Sequence, residues 1–441
     1  KMTSLISFIL IISFLIFIHE LGHLLAAKWA NVKVENFSIG FGPKLFSFYI
    51  GETEYALSLL PLGGYVKMQG EDVSELKTPQ NNEALDPSRS YKNIPNIKKL
   101  IILFAGPFMN LVLPFILFPF IYMNGIELPK FLDQQPVVGY YEQSTEKAFF
   151  QNGDKILEIN KYQIKNWRDI PKLKEKFKNI KQNILISRQN NILEITFYNN
   201  LKDKKYILDD IYPEQLPIVN QILPNSIASN VGIEKSDRIL NMNGKNINSW
   251  YQISKILNEE NLFKYEIQLQ RNDQVITKNI RFEKESVKKV LGITPLVNSE
   301  VSNFSIIESF NLGWKDSVRS INLIYNGIIG LFSDFFSTDS SLSKIKNSIA
   351  GPISIAKYSG VAAEKGLNSI LQFLIIISIN LGIINLLPIP LLDGGHIFFT
   401  SIEMITRRKM NPKIQNFANR TGFALLITLM LFAVYNDIVN L

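Results

Sequence analysis

His19 and His23 stand four residues apart with Glu20 beside the first, and no other residues of this chain have types and spacing so suited to chemistry. On a helix, that spacing puts two imidazoles on one face. There they can hold Zn²⁺, with the carboxylate as general base. The motif closes an apolar run, about Ser4 to Ala27, long enough to cross a bilayer. Ionisable groups at membrane depth are costly unless they have partners and a task. Two histidines do not complete a catalytic zinc site, which usually takes three protein ligands and leaves one position open. The candidate for the third is Asp393, in the run Asn385-Leu386-Leu387-Pro388-Ile389-Pro390-Leu391-Leu392-Asp393-Gly394-Gly395-His396. Pro388 and Pro390 should break a third apolar helix and free backbone groups that only a cavity or neighbouring protein can satisfy. The alternative is that Asp393 merely caps the helix after it. His396 is open as a fourth donor or as a packing residue.

The elements that must position these groups are apolar segments of spanning length. Four are expected: 4–27, 100–123, 370–392 and 417–435. Arg407, Arg408, Lys409 and Lys413 fill the link between the last two. Lys28, Lys33, Lys92, Lys98 and Lys99 flank the link between the first two. The positive-inside rule makes both links cytoplasmic and puts the long middle stretch outside. The first apolar run lacks a small-residue cleavage site, so a retained helix is expected rather than a signal peptide. Within the first link, 37–43 and 55–66 read as short apolar strands punctuated by Gly and Pro, a β segment associated with the membrane. The acidic stretch from about Gln69 to Ser90 is expected to be mobile.

The middle of the chain repeats itself. Asp154-Lys155-Ile156-Leu157-Glu158-Ile159-Asn160, then Ile164 and Trp167, return 83 residues on as Asp237-Arg238-Ile239-Leu240-Asn241-Met242-Asn243, then Ile247 and Trp250. Two tandem α+β domains follow from this. Their D-x-I-L-x-x-N phrase and their strand-strand-helix-strand order resemble PDZ domains. The expected division is 1–128 (first membrane part), 129–215 and 216–300 (the two PDZ-like domains), 301–366 (amphipathic extracytoplasmic helices) and 367–441 (second membrane part). In 304–336, Ile306, Phe310, Trp314, Val318, Ile321 and Tyr325 recur on one helical face. That face lies either on the membrane surface or against the PDZ pair.

Composition sets limits. The 441 residues contain no cysteine, which excludes disulfides, thiolate ligands and a Cys nucleophile. The net charge of +8 comes without an Arg-rich cluster, so nucleic acid is not an expected partner.

These motifs together resemble the site-2 protease family of intramembrane zinc metalloproteases. The resemblance rests on His19-Glu20-Leu21-Gly22-His23, on Phe104-Ala105-Gly106-Pro107-Phe108-Met109-Asn110 and on the Asn385–Gly395 run. The tandem insertion and the 40–43 and 61–68 segments narrow it to the regulator-of-sigma-E-protease branch. It implies a polytopic α-helical membrane protein with two extracytoplasmic PDZ-like domains in the bacterial inner membrane. It implies Zn²⁺ held by His19, His23 and Asp393, with Glu20 as general base. Asn385 would hold the substrate backbone or steady the oxyanion, although a helix–helix hydrogen bond is also open for it. His396 becomes a packing or outer residue, and Asn110 a structural polar contact. The implied activity is regulated intramembrane proteolysis of single-pass membrane proteins, such as an anti-sigma factor or signal-peptide remnants, with the PDZ pair as a size filter. A silent scaffold or a metal transporter are the rival classes. The complete set of four site residues disfavours the first, and the absence of an inverted repeat disfavours the second.

Overall fold

In hydrocarbon every backbone N–H and C=O must find a partner within the protein, which leaves helices and closed or covered sheets. The computed structural model describes residues 2–71, 86–142, 149–176, 181–197, 207–223, 226–259, 262–282, 289–336 and 351–439. The segment expected to be mobile falls mostly, from 72 to 85, outside the described residues. The chain divides into two compact units, one of Lys1–Ile126 with Asn303–Leu441 and the other of Glu127–Ser302.

The first unit begins with α1 (Met2–Trp29), which carries the histidine motif. Then come β1 (Val34–Ile50) and β2 (Thr53–Met68), paired antiparallel with each other and with no other described strand. Both are folded on themselves, so Phe37 partners both Val66 and Tyr55. The inner end of this sheet is buried with Leu24, Ala27 and Ile102. Its outer end exposes Phe41, Phe46, Phe48, Tyr49, Leu57 and Leu60. An exposed apolar sheet end suits hydrocarbon rather than water. Helix α2 (Asn96–Met123) follows, with Pro107, Pro114 and Pro119 inside it.

The second unit is β-rich. It runs through β3 (Ile126–Pro129, whose first residue belongs to the first unit), β4 (Tyr140–Tyr141), β5 (Lys155–Ile159), β6 (Tyr162–Gln163), α3 (Asp169–Lys176), β7 (Gln182–Arg188), β8 (Asn191–Phe197) and β9 (Ile211–Tyr212). It continues with β10 (Val219–Ile222), α4 (Ile227–Asn230), β11 (Arg238–Met242), β12 (Lys245–Asn246), α5 (Trp250–Glu259), β13 (Lys264–Arg271), β14 (Gln274–Arg281), β15 (Ile293–Pro295) and β16 (Ser299–Ser302). The four-stranded sheet β6-β5-β7-β8 recurs as β12-β11-β13-β14. Each repeat has its own core, around Ile156, Ile184 and Ile186 in the first and Ile239, Ile267 and Leu269 in the second.

The repeat extends to polar detail that the sequence phrase does not display. Arg188 forks onto buried Asp154 through Nε and Nη2, at 2.8 and 2.7 Å, and also donates to the Phe149 carbonyl. Arg271 does the same to Asp237, at 2.7 and 2.8 Å, and to the Gly232 carbonyl. Asn160 and Asn243 each take a positive φ and accept, through Oδ1, from the backbone of the neighbouring strand, at Asn183 and Glu266. Ser236 holds the left-handed turn (φ 72°) that Gly153 holds in the first repeat (φ 91°). The difference in sequence is therefore not a difference in backbone.

The chain then returns to the first unit through α6 (Ile306–Phe336), started by a reciprocal box in which Ser305 and Glu308 bond each other's backbone N–H. Its expected apolar stripe is only partly its packing face: Ile306, Phe310, Trp314 and Val318 are largely exposed, although the Trp314 ring meets Phe115 of α2, while Ile321 of the same stripe is packed. Ser309, Gly313 and Ser317 are the buried residues of this half, and Gly313 sits hard against Pro119 of α2. Further along, Ile321, Ile324 and Ile328 pack with Ile121 and with Ile375 and Ile379 of the next long helix. Small residues let helix backbones approach closely, and this wins over burying the larger stripe. Next are α7 (Pro352–Glu364), α8 (Leu367–Leu386), α9 (Asp393–Thr406) and α10 (Pro412–Val439). Asp437 of α10 accepts from the backbone N–H groups of Gly351, Ile353 and Ser354, at 2.9 to 3.0 Å, and so caps α7.

Helices α1, α2, α8 and α10 are each long and apolar enough to cross a membrane. The third expected span ends at Leu386, short of Pro388, and α9 occupies most of what was read as a charged link.

Breaking one buried clamp tests the independence of the repeats. Arg271→Met leaves Asp237 buried without its partner, a change expected to cost about 3 kcal/mol. Hydrogen exchange should accelerate in β11 to β14 while β5 to β8 keep their protection. Uniform acceleration in both repeats would refute separate cores.

Candidate metal centre

Helices α1 and α2 meet at almost backbone contact, because a side chain on Gly22 would strike the Ala105 carbonyl and one on Gly106 would strike the His23 ring. This close crossing brings His19 and His23, both buried, into the interior of the first unit. The His23 Nδ1 lies 2.8 Å from the Ile102 carbonyl. A carbonyl only accepts, so Nδ1 carries the proton and Nε2 keeps its lone pair.

Asp393 arrives from the other side. After Leu386 the chain leaves the helix, and Leu391 takes a left-handed φ of 80°, rare for a bulky side chain. Gly394 and Gly395 then fold back so closely that a Cβ on either would overlap the carbonyls of Leu387 or Ile389. Asp393 is the first residue of α9, yet its carboxylate does not cap that helix. Its two oxygens lie 3.0 Å from His19 Nε2 and 3.5 Å from His23 Nε2, and the two Nε2 atoms are 3.3 Å apart. A tetrahedral zinc with bonds near 2.0–2.1 Å separates its donors by about 3.3 Å. The spacing of this donor set, two imidazoles and a carboxylate, fits that ion. Among the described residues these three are the group able to hold a metal.

Residues 7–429 match the model of peptidase family M50. The chain belongs to that family. A relative from Campylobacter jejuni, carrying a provisional zinc-metalloprotease name, is 34% identical over 98% of this chain and 92% of its own length. The regulator of sigma E protease of Haemophilus influenzae is 30% identical, with 99% of each chain covered. The zinc metalloprotease RasP of Geobacillus kaustophilus is 29% identical over 99% of this chain and 97% of its own. The resemblance read from the motifs therefore holds, and the chain is a metalloprotease.

The remaining expected residues of this M50 peptidase are distributed around the cluster. Glu20 is half-buried on α1, one residue from His19, and its Cγ would lie 2.9 Å from a Cβ on Gly64 of β2. Strand β2 therefore runs beside the Glu20 side chain. Asn385 is half-buried near the end of α8, and its side-chain amide makes no hydrogen bond to the three clustered residues or to another described residue. His396 lies one turn into α9, outside the cluster.

Sequence reading assigned no role to Gly22, Gly64 or Gly106, since a glycine that serves by leaving space has no signature of its own. The spacing Gly106 to Asn110 was a usable signal. It repeats the four-residue step of the histidines, and on antiparallel helices it sets Gly106 against His23 and Asn110 against His19. The side chain of Asn110 contacts His19 Nδ1 at 3.2 Å.

Gly106→Val should push the His23 ring out of register with Asp393. Purified variant protein is expected to carry well under half the wild-type metal content by elemental analysis, while Gly42→Ala, where the space is open, should carry the wild-type amount apart from local backbone strain. Full metal content in Gly106→Val would show that the close crossing does not set the donor geometry.

Proposed function

We propose that this M50 peptidase is an intramembrane zinc endopeptidase that cleaves single-pass membrane proteins within their membrane segments. The observation that carries the reading is the three-donor cluster of His19, His23 and Asp393, on helices that cross or adjoin membrane-length segments and beside Glu20 and the strand β2. His19, His23 and Asp393 hold the ion. Bound there, zinc lowers the pKa of a water towards about 7 and polarises a carbonyl. Glu20 takes that water's proton and delivers it to the leaving amine. Asn385, with an amide free of other hydrogen bonds, binds the substrate backbone or steadies the developing negative charge.

A membrane helix hides its peptide bonds in its own hydrogen-bond ladder and must unwind before attack. Strand β2 offers an edge on which an extended segment can pair, and Gly64 keeps that edge clear next to Glu20. The basic residues flanking the membrane helices favour a cytoplasmic position for the metal centre, since Lys28 follows His23 by about 7.5 Å of helix. The β-rich repeats then lie outside the bacterial inner membrane as PDZ-like domains that admit only substrates already trimmed. The sigma-E name of the Haemophilus relative supports an anti-sigma factor as substrate, with signal-peptide remnants as a second class.

The first test is cleavage of a tagged single-pass protein by purified wild type and Glu20→Gln, with zinc measured in both. Zinc in both and cleavage by wild type alone is expected, with the variant slower by at least 10². Chelation should abolish cleavage and added Zn²⁺ restore it. Equal cleavage by both proteins would remove Glu20 from the mechanism.

Substrate unwinding has its own test. Replacing a Leu near the scissile bond by Gly or Pro should raise the cleavage rate, because each lowers the cost of opening the helix by about 1–3 kcal/mol. Rates indifferent to such residues would argue against attack on an unwound segment.

A further inference from the structure

Asn110 is fully buried on α2, opposite His19, and its backbone carbonyl accepts from Ser378 Oγ of α8 at 2.8 Å. Three membrane-length helices therefore meet at this residue. Its amide nitrogen lies 3.2 Å from His19 Nδ1, while its amide oxygen is buried without a hydrogen-bond partner. Both features are unfavourable for a metal centre. A buried acceptor left unpaired costs about 1–3 kcal/mol. An amide N–H donating to Nδ1 also demands that Nε2 carry the ring proton, and a protonated nitrogen cannot face Asp393 as a ligand. A half-turn of the nearly isosteric amide corrects both: the oxygen then accepts from Nδ1–H, and Nε2 presents its lone pair.

We infer that Asn110 is a positioning residue of the metal centre, holding His19 by an Nδ1–H to amide-oxygen hydrogen bond so that Nε2 faces His23 Nε2 and Asp393. The two histidines are then held in the same tautomer by two acceptors from one helix, the Ile102 carbonyl for His23 and the Asn110 side chain for His19. The backbone supplies one acceptor without any demand on sequence. The other needs a side chain of this length and chemistry, and Ser378 fixes the turn that carries it. This inference rests on the zinc reading of the site.

The test is zinc affinity of the full chain by chelator competition, with the absorption spectrum of the Co²⁺-loaded protein as a report on ligand geometry. Wild type, Asn110→Leu, Asn110→Asp and His19→Ala are compared, and the melting temperature of each metal-free protein controls for folding. Loss of an outer partner of a metal-bound histidine typically weakens the metal by about 10–100-fold. That loss, with an altered Co²⁺ spectrum, is expected for Asn110→Leu at an unchanged metal-free melting temperature. Asn110→Asp, whose carboxylate also accepts from Nδ1–H, should retain near-wild-type affinity. Wild-type affinity and spectrum in Asn110→Leu would overturn the inference while His19→Ala still abolished binding. Equal weakening in the Leu and Asp variants would also overturn it, since packing alone would then explain both. Wild-type protein that binds no zinc would bring down the metal-site reading itself.

Discussion

The approach of α1 to α2 at glycine distance is the contact on which the candidate metal centre depends. Imidazoles are short, and two of them on one helix can share a ligand only with groups brought almost to the helix surface. Gly22 lets the Ala105 carbonyl in, and Gly106 leaves room for the His23 ring. In a membrane, helices gain nothing from burying apolar side chains that lipid would cover equally well, so close van der Waals packing and interhelical hydrogen bonds must hold them. The same economy recurs where Ser309, Gly313 and Ser317 carry α6 onto α2. A helix packed through small residues leaves its large ones to the surroundings, which is why the apolar stripe of α6 is largely exposed.

Much of this was legible beforehand. The His-Glu-x-x-His motif, the apolar segments and the 83-residue repeat are signals of spacing, and spacing survives in a bare sequence. What stayed hidden depends on partners remote in the chain. Nothing near Arg188 or Arg271 marks them as the clamps of Asp154 and Asp237, 34 residues earlier. The stripe from Ile306 to Val318 satisfied the helical period, and the period says which residues share a face but not which face is covered. Asn110 was read as a structural polar contact, and the sequence does not name its partner because His19 lies on a different helix. Helix α9 was masked by its proximity to the cluster of basic residues that follows it.

The turn before Asp393 shows how local strain and global position are exchanged. A leucine at φ 80° costs about 1–3 kcal/mol, and it persists only where the surroundings over-determine it. Here Gly394 and Gly395 press the chain back on 386–390, while Gly422 of α10 comes up against Pro390. The outcome is a carboxylate on a non-helical approach, aimed at α1 rather than at its own helix. A continuous helix through 393 would have kept that side chain on a helical face, with Leu387 to Leu392 satisfying one another's backbone. Helix α2 accommodates three well-separated prolines, but Pro388 and Pro390, two residues apart, remove two donors within one turn and disfavour continuity here, so the break is written in the sequence even though its direction is not.

The sheet of β1 and β2 raises the reverse problem. A strand edge presents unpaired N–H and C=O groups, and in hydrocarbon such an edge is tolerated only where protein or a water-filled cavity meets it. No other described strand pairs with this sheet, its outer end exposes large apolar side chains, and its Gly64 lies against Glu20. A sheet of this kind is complete only when something extended lies along it. On the proposed function, that partner is the substrate, and the energetic demand of the open edge meets the demand of a helix that must be unwound. Each new backbone hydrogen bond on the edge replaces one lost from the substrate helix. The cost of exposing the peptide bond is thereby partly offset at the place where Glu20 and the metal ligands stand.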